Sequence, residues 1–307
     1  MKASAPGKVI LFGEHAVVYS RPALAVPVTQ VHVDVEVLDS PRQGIWIDAP
    51  NIGLRTELNS LPANHPIGSA ILNLFSTLKI SLPPALDISI ESTIPVAAGL
   101  GSGAAISVAL FRALALHFNH PLTDEQINSL AFEIEKLHHG TPSGIDNTVI
   151  TYAKPVYFIK NKPLETFKVG KPFTVVIGDT GIPAPTKESV SDVRHLRMRD
   201  QYGIENIFNE IAQIALIGRR SIESGMPELL GELMDQNHAY LQALTVSSPA
   251  LDKLVEAARA AGALGAKLSG SGRGGNMIAM VDQAKAESVA GALISAGAKR
   301  AIITEIS

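Results

Sequence analysis

A glycine-rich turn between a strand pattern and an apolar helix pattern is the feature that most constrains this fold. The turn is Pro95–Ala104, and apolar Leu86, Ile88 and Ile90 alternate ahead of it. The apolar run behind it predicts a helix that ends near Phe118. Glycines let a backbone approach a ligand closely, and a helix start offers unpaired N–H groups. The segment therefore predicts an anion site, although a tight turn with glycines for close packing is the alternative.

This turn differs from the two best-known phosphate loops. It lacks the terminal Gly-Lys-Ser/Thr of a P-loop, and its glycines do not have the Rossmann spacing. A second glycine-rich loop, Leu268–Asn276, also lies between two predicted strands. Its four glycines cost chain entropy, so a close approach of the backbone to another group is expected. A flexible hairpin tip is the alternative for this second loop.

The N-terminal segment places polar residues at both ends of a short apolar strand. Lys8 precedes Val9–Phe12, and Glu14 and His15 follow it. These side chains are candidates for chemistry, but from sequence alone a solvated lysine and an ordinary surface pair are the more common explanations.

A fourth segment combines carboxylates with a loop rich in glycine and proline. Glu135 lies on a predicted helix with the apolar face Ile127, Leu130, Ile134 and Leu137. Asp146 lies in the loop that is predicted to follow this helix. Two such carboxylates could hold magnesium and accept a hydroxyl proton.

Paired histidines in the same segment invite a zinc interpretation. His138 and His139 are adjacent, so they do not share a helical face, and no further ligands follow at useful spacing. Helix capping and loop packing explain them at least as well.

The composition narrows the class of protein and of partner. The chain has 307 residues, 26 of them basic and 29 acidic, with a formal net charge of −3. Such a balance does not predict a nucleic-acid-binding face, so a small-molecule partner is expected. The absence of cysteine excludes a disulfide scaffold, a thiolate zinc site and a cysteine nucleophile.

The longest uncharged stretch does not predict a membrane span. It runs from Ser92 to Phe111, is interrupted by Pro95 and three glycines, and is closed by Arg112. The N-terminus lacks the apolar core of a signal peptide. We therefore expect no membrane association and a cytoplasmic location.

The element pattern predicts an α+β protein in two halves. The first half reads as strands and two helices, and a stretch rich in Lys, Pro and Gly at 161–172 suggests a domain border. We predict domains at 1–170 and 171–307, the second with split βαβ topology. The elements predicted in the second half are strands at 173–177, 265–268, 276–281 and 300–306 and helices at 204–224, 226–244, 249–261 and 283–296.

Taken together, these segments resemble the GHMP kinases. The three family signatures are similar to Ala5–His15, Pro95–Ala105 and Lys267–Asn276, in the family's order. The resemblance implies a two-domain fold, with an N-terminal domain like ribosomal protein S5 domain 2 and a ferredoxin-like C-terminal domain. Within the family, the segments 139–147 and 178–187 resemble the mevalonate kinase branch rather than galactokinases or mevalonate diphosphate decarboxylases.

The resemblance implies ATP-dependent phosphorylation of the 5-hydroxyl of mevalonate, with Mg²⁺ as the second cofactor and a homodimer as the assembly. Asp146 is expected to orient or deprotonate the hydroxyl, with Lys8 beside it. Ser102 and Glu135 are expected to bind Mg²⁺. The expected nucleotide-binding residues are Pro95, Val96, Ala97, Ala98, Gly99, Leu100, Gly101, Ser102, Gly103 and Ala104. The expected substrate-lining residues are Glu14, His15, Gly144, Thr180 and Ser271.

Two positions depart from the family pattern. Gly103 stands where many members have a second serine, and Arg273 stands where a glycine is common. Arg273 could lean toward the nucleotide, or it could form a salt bridge or face solvent. Two other functions stay open at this point: a kinase for another small alcohol (homoserine, a sugar or a mevalonate derivative), and a catalytically silent ligand sensor.

Overall fold

The structure is a computed structural model that describes residues 1–95, 99–139 and 142–307. It contains two compact units. The first is built from residues 1–7 and from the described residues between 31 and 95 and between 100 and 153. The second is built from residues 8–30, Gly99 and residues 154–307.

Strands and helices are grouped along the chain, as in an α+β protein. The strands are β1 Lys2–Phe12, β2 Ala23–Asp39, β3 Ile45–Ala49, β4 Leu54–Glu57, β5 Leu86–Ser92, β6 Val156–Phe158, β7 Glu165–Thr166, β8 Phe173–Asp179, β9 Gly265–Ser269, β10 Asn276–Val281 and β11 Arg300–Ile306. The α-helices are α1 Pro66–Thr77, α2 Ser102–His117, α3 Asp124–His139, α4 Ile145–Tyr152, α5 Thr186–Arg199, α6 Gln201–Glu223, α7 Leu230–Ala243, α8 Pro249–Ala260 and α9 Ala286–Ala296.

In the first unit, a sheet supports a group of packed helices. β5 lies between β2, its antiparallel neighbour, and β3, its parallel neighbour, and β4 pairs with the free side of β3. From Val31 to Val37, every second residue of β2 is buried, because one face of this part of the strand covers the core. α2 contacts α1, α3 and α4, and ten of its sixteen side chains are buried. The first turn of α2 is therefore fixed by packing along the rest of the helix.

In the second unit, a four-stranded antiparallel sheet forms the core. The strand order is β11-β8-β10-β9, and every residue of β8 and β10 is buried. α7 and α8 pack against β9, and α9 packs against β8 and β11. Counted from β8, the order is 4-1-3-2 in a βαββαβ chain course, which confirms the ferredoxin-like prediction.

Most elements expected from the apolar pattern are present, and the exceptions have a physical cause. α4 occupies part of the segment that was expected to be a loop, since Gly144 begins a new helix instead of continuing the turn. α5 has no counterpart in the prediction, because only two of its fourteen side chains, Ser189 and Val193, are buried. Leu137 was expected on the buried face of α3, but it is 61% exposed.

The border at residues 170 and 171 stays a prediction. No helix in the described part of the chain is long and apolar enough to span a membrane.

Candidate active site

The start of α2 has the geometry of an anion site. Gly99 and Gly101 adopt positive φ angles of 78° and 77°, and Gly101 is the N-cap of the helix. Leu100 and Ala104 are buried on either side of the helix start, so their side chains anchor it to the core. The first N–H groups of a helix have no partner within it. Ser102, the first residue of α2, is half-buried among them.

The remaining predicted nucleotide-binding residues divide into two groups. Pro95, the first residue of the glycine-rich turn, is buried, and Gly103 is exposed in the first turn of α2. Val96, Ala97 and Ala98 lie outside the described residues.

Glu135 brings a carboxylate to this helix start. Its side chain extends from α3, and the residue is only 8% exposed. A Cβ built on Gly103 would lie 3.6 Å from Glu135 Oε1, so the carboxylate contacts the first turn of α2 beside Ser102. Within the first unit, the structure therefore brings together the two residues that were predicted to bind Mg²⁺.

The chemistry of these two residues suits a hard cation. Mg²⁺ prefers oxygen ligands and is usually held by one or two carboxylates together with substrate phosphates. In the described part of the chain, no three His, Asp or Glu side chains cluster as a ready-made metal site. A Ser–Glu pair at a glycine-capped helix start would fit an ion whose other ligands are phosphate oxygens and water. The side chains of His138 and His139, which prompted the zinc interpretation, lie outside the described residues.

Asp146 lies on a helix, which corrects the expectation of a loop. It occupies the first turn of α4, directly after the N-cap Gly144, whose φ is 90°. The helix is held in place by Asn147, whose Nδ2 donates to Asn128 Oδ1 of α3 at 2.6 Å. Negative charge in a first turn is stabilised by the helix dipole. Asp146 therefore lies on a helix that is anchored to α3, and its side chain is half-buried.

Lys8 lies in the second unit and is buried. It is 3% exposed and is followed along β1 by buried apolar residues, so the alternative of a solvated surface lysine is wrong.

Glu14 and Lys267 form an ion pair in the interior of the second unit. Glu14 is 1% exposed and Lys267 is fully buried. The amine also donates to Leu268 O at 2.6 Å. Burial raises the pKa of the Glu14 carboxyl and lowers the pKa of the Lys267 amine, while their mutual attraction opposes both shifts. Glu14 thus exposes almost no surface, and its predicted contact with substrate stays a prediction.

His15 connects the first and third signature segments. Its Nε2 lies 3.1 Å from Ser271 O, and the residue is 5% exposed. Burial lowers the pKa of its imidazole to about 4, so the ring is neutral at pH 7. Because a carbonyl only accepts, we assign the proton to Nε2, which donates to Ser271.

Thr180 and Ser271 are joined through the third signature loop. The Thr180 backbone N and Oγ1 both donate to Gly275 O, at 2.9 and 2.8 Å. The Ser271 hydroxyl lies 3.0 Å from Thr186 Oγ1 on α5. Three predicted substrate residues therefore form one assembly around this loop within the second unit: His15 and Thr180 hydrogen-bond to its backbone, and Ser271 belongs to it.

The sequence alone assigned no role to two residues that hold these sites in place. Lys267 was counted only as part of a signature, although a lysine between apolar strand residues is itself a sign of a buried partner. Asn128 fixes α4 from α3, and a single asparagine on a helix gives no such indication in sequence.

Comparison with known proteins shows the family to which this chain is similar. A model of the GHMP kinase N-terminal domain matches residues 65–154, and one of the C-terminal domain matches residues 219–299. The mevalonate kinase of Thermococcus gammatolerans is 36% identical over 99% of this chain and 96% of its own length. That of Archaeoglobus fulgidus is 36% identical over 90% of both chains.

Solved structures agree with these sequence matches. L. major mevalonate kinase in complex with R-mevalonate is 28% identical, with a TM-score of 0.87 over 100% of this chain and 96% of that one. Methanococcus jannaschii mevalonate kinase is 27% identical, with a TM-score of 0.85 over 99% and 97% of the two chains. This chain therefore belongs to the GHMP kinase family, in its mevalonate kinase branch.

Proposed function

We propose that this chain transfers the γ-phosphoryl group of ATP to the 5-hydroxyl of mevalonate, giving 5-phosphomevalonate for isoprenoid biosynthesis. The observation that carries the proposal is full-length similarity to mevalonate kinases, with 36% identity over 99% of the chain in one case. The positions of Ser102 and Glu135 at a glycine-capped helix start support phosphoryl transfer.

The α2 start is proposed to bind the nucleotide phosphates. Its N–H groups and the turn from Pro95 to Ala104 would hold the phosphate oxygens, and Ser102 and Glu135 would hold Mg²⁺. Bound Mg²⁺ would supply neutralisation of the negative charge on the phosphates. The buried Leu100 and Ala104 would hold the start of α2 in place, so that the transferring group is positioned before reaction.

Asp146 is proposed to act on the substrate hydroxyl. From the first turn of α4, its carboxylate would orient the hydroxyl and accept its proton as the phosphoryl group is transferred. Lys8 is proposed to stabilise negative charge that develops on that group. Positioning and charge neutralisation are the main sources of rate enhancement in such reactions.

Within the second unit, the alcohol is proposed to be held by the assembly of His15, Thr180 and Ser271, with Glu14 completing the set. A contact of Gly144 with the alcohol stays a prediction of the sequence analysis. A neutral imidazole suits this role, because its Nε2 proton is donated to Ser271 and its Nδ1 can accept a hydrogen bond from a hydroxyl group. A homodimer and a cytoplasmic location remain predictions of the sequence analysis.

An ADP-release assay with four alcohols tests the substrate. Purified protein is supplied with ATP, Mg²⁺ and either mevalonate, phosphomevalonate, homoserine or galactose. Mevalonate is expected to give the highest kcat/KM. Faster turnover of another alcohol would favour the rival kinase activity, and no turnover of any would favour a ligand sensor.

A further inference from the structure

Arg273 has an unusual backbone conformation within the third signature loop, Leu268–Asn276. Its φ is +62°, in the left-handed region. A residue with a Cβ costs roughly 1–2 kcal/mol there, whereas glycine adopts the conformation freely. The arginine therefore keeps a strained conformation where a glycine would relieve it, which indicates that its side chain makes a compensating contact.

The side chain of Arg273 joins the loop to two other segments. Its Nη1 donates to Asp192 Oδ2 of α5 at 2.5 Å, and Nε lies 3.4 Å from Thr245 O. The backbone N of Arg273 donates to Val246 O at 2.8 Å. The guanidinium therefore spans from α5 to the connection between α7 and α8, all within the second unit.

The helix on the other side of this ion pair has little apolar packing to hold it. Only Ser189 and Val193 of α5 are buried. The N-cap residue of the helix is Pro185, which has no side-chain group that could form a capping hydrogen bond. A short helix gains most of its stability from burying an apolar face. For α5, polar contacts must supply a large share of that stability. Arg273 provides one for its N-terminal half, and an Arg197–Glu205 pair provides one near its C-terminus.

The N-terminal half of α5 also carries a contact to the substrate-side assembly. Thr186 Oγ1 lies 3.0 Å from Ser271 Oγ, and Ser271 O accepts the bond from His15. Movement of α5 would be transmitted to Ser271, two residues before Arg273. The loop is thus held at both positions by the same helix.

We propose that Arg273 is a positioning residue that acts through Asp192: it fixes α5 and the third signature loop for the alcohol substrate and does not bind ATP. The inference rests on the proposed function for the identity of that alcohol. It assigns to this chain a tether that the glycine usual in the family would not supply.

Steady-state kinetics separate this role from a nucleotide contact. An increase of about fivefold in KM for mevalonate is expected in each of three variants: Arg273→Ala, Arg273→Gly and Asp192→Asn. Loss of a partly exposed ion pair costs roughly 1 kcal/mol, which corresponds to about a fivefold change in KM. KM for ATP and kcat are expected to stay within about twofold of wild type. The Ala and Gly variants should agree, because both lose the tether although only Gly relieves the backbone strain.

A charge exchange and two matched controls sharpen the test. The double variant Arg273→Asp/Asp192→Arg is expected to restore KM for mevalonate to within about twofold of wild type. Arg194→Ala removes an exposed charge from the same helix and should change no kinetic constant. Arg197→Ala loosens the far end of α5 and should leave KM for mevalonate unchanged within about twofold.

Amide hydrogen exchange tests the tether without any substrate. Faster exchange across residues 186–193 is expected in Arg273→Ala and Asp192→Asn, but not in Arg194→Ala. This readout stays decisive even if mevalonate proves not to be the substrate, so failure of the proposed function is distinguishable. Unchanged exchange, an increased KM for ATP alone, or a double variant no better than the single ones would each overturn the inference.

Discussion

The buried pair of Lys267 and Glu14 is expected to be the most sensitive polar contact in the second unit. Lys267→Met should lower the free energy of unfolding by about 3–5 kcal/mol, because it leaves the Glu14 carboxylate buried without its counter-charge. Urea denaturation of the purified variants measures this. The double variant Glu14→Leu/Lys267→Met should recover most of the loss, since no unpaired charge then remains.

The exposed pair of Lys136 and Glu133 is the matched control for this experiment. Its side chains are 44% and 53% exposed, so Lys136→Met should change stability by less than about 0.5 kcal/mol. Equal effects of the two Lys→Met substitutions would contradict the interpretation of Lys267.

Magnesium dependence tests the role of Glu135. Glu135→Gln is expected to raise the Mg²⁺ concentration for half-maximal activity at least about tenfold, because an amide is a weaker ligand for a hard cation. Titration of activity with Mg²⁺ at saturating ATP measures the shift. Glu133→Gln, an exposed change on the same helix, should leave the curve in place. Superimposable curves for Glu135→Gln and wild type would remove Glu135 from the proposed metal site.

Part of the candidate site could be predicted from sequence. Ser102 follows a glycine turn and begins an apolar helix, so its position at a helix start follows from local pattern alone. The pairing of Glu14 with Lys267 could not, because the two are 253 residues apart and only tertiary packing brings them together. The Arg273–Asp192 contact was open among alternatives for the same reason.

Among the elements, the junction of α7 with β9 depends on two glycines in close contact. A Cβ on Gly265 would lie 1.9 Å from the backbone O of Gly231, and neither backbone can withdraw without moving its element. Gly265→Ala is therefore expected to destabilise the protein by about 1–3 kcal/mol, as measured by thermal or urea unfolding.

Gly291 provides the control for this substitution. It lies exposed on α9, and a Cβ there would meet nothing within 4 Å. Gly291→Ala should stabilise the protein by up to about 1 kcal/mol, because alanine is the better helix former. If both substitutions changed stability in the same direction, the close packing of α7 on β9 would not be the cause of the effect of Gly265→Ala.

How well each element could be predicted from the sequence depends on how much of it is buried. β8 and β10 are buried along their whole length, so their continuous apolar runs indicate strands in sequence. α5 is polar on most of its surface and therefore gives no helical period in hydrophobicity. The α4 segment resembles a loop because Pro142 and Gly144 precede it, yet Gly144 serves as a left-handed N-cap.

At the scale of the whole molecule, two buried histidines make stability depend on pH. Burial lowers the pKa values of His15 and His238 to about 4, below their usual value near 6.5. Between these values the unfolded chain binds more protons than the folded one, so stability falls as the pH falls through this window. Each histidine should lower the free energy of unfolding by about 2 kcal/mol between pH 7 and pH 5.

The pH effect can be assigned with one substitution. In His238→Gln, the loss of stability between pH 7 and pH 5 is expected to be smaller by about 2 kcal/mol, whatever the effect at pH 7. Denaturant midpoints across this range measure it, with the exposed His120→Gln as control. An unaltered pH dependence in His238→Gln would contradict the assignment.

The central claim is that this chain phosphorylates the 5-hydroxyl of mevalonate with the help of Asp146. Phosphorus NMR of the products, followed in time with wild type and Asp146→Asn at saturating ATP and mevalonate, tests it most directly. Wild type is predicted to form 5-phosphomevalonate and ADP in equal amounts, and Asp146→Asn to form them about 10²–10⁴ times more slowly. A phosphate at another position, or near-equal rates for the two proteins, would contradict the account.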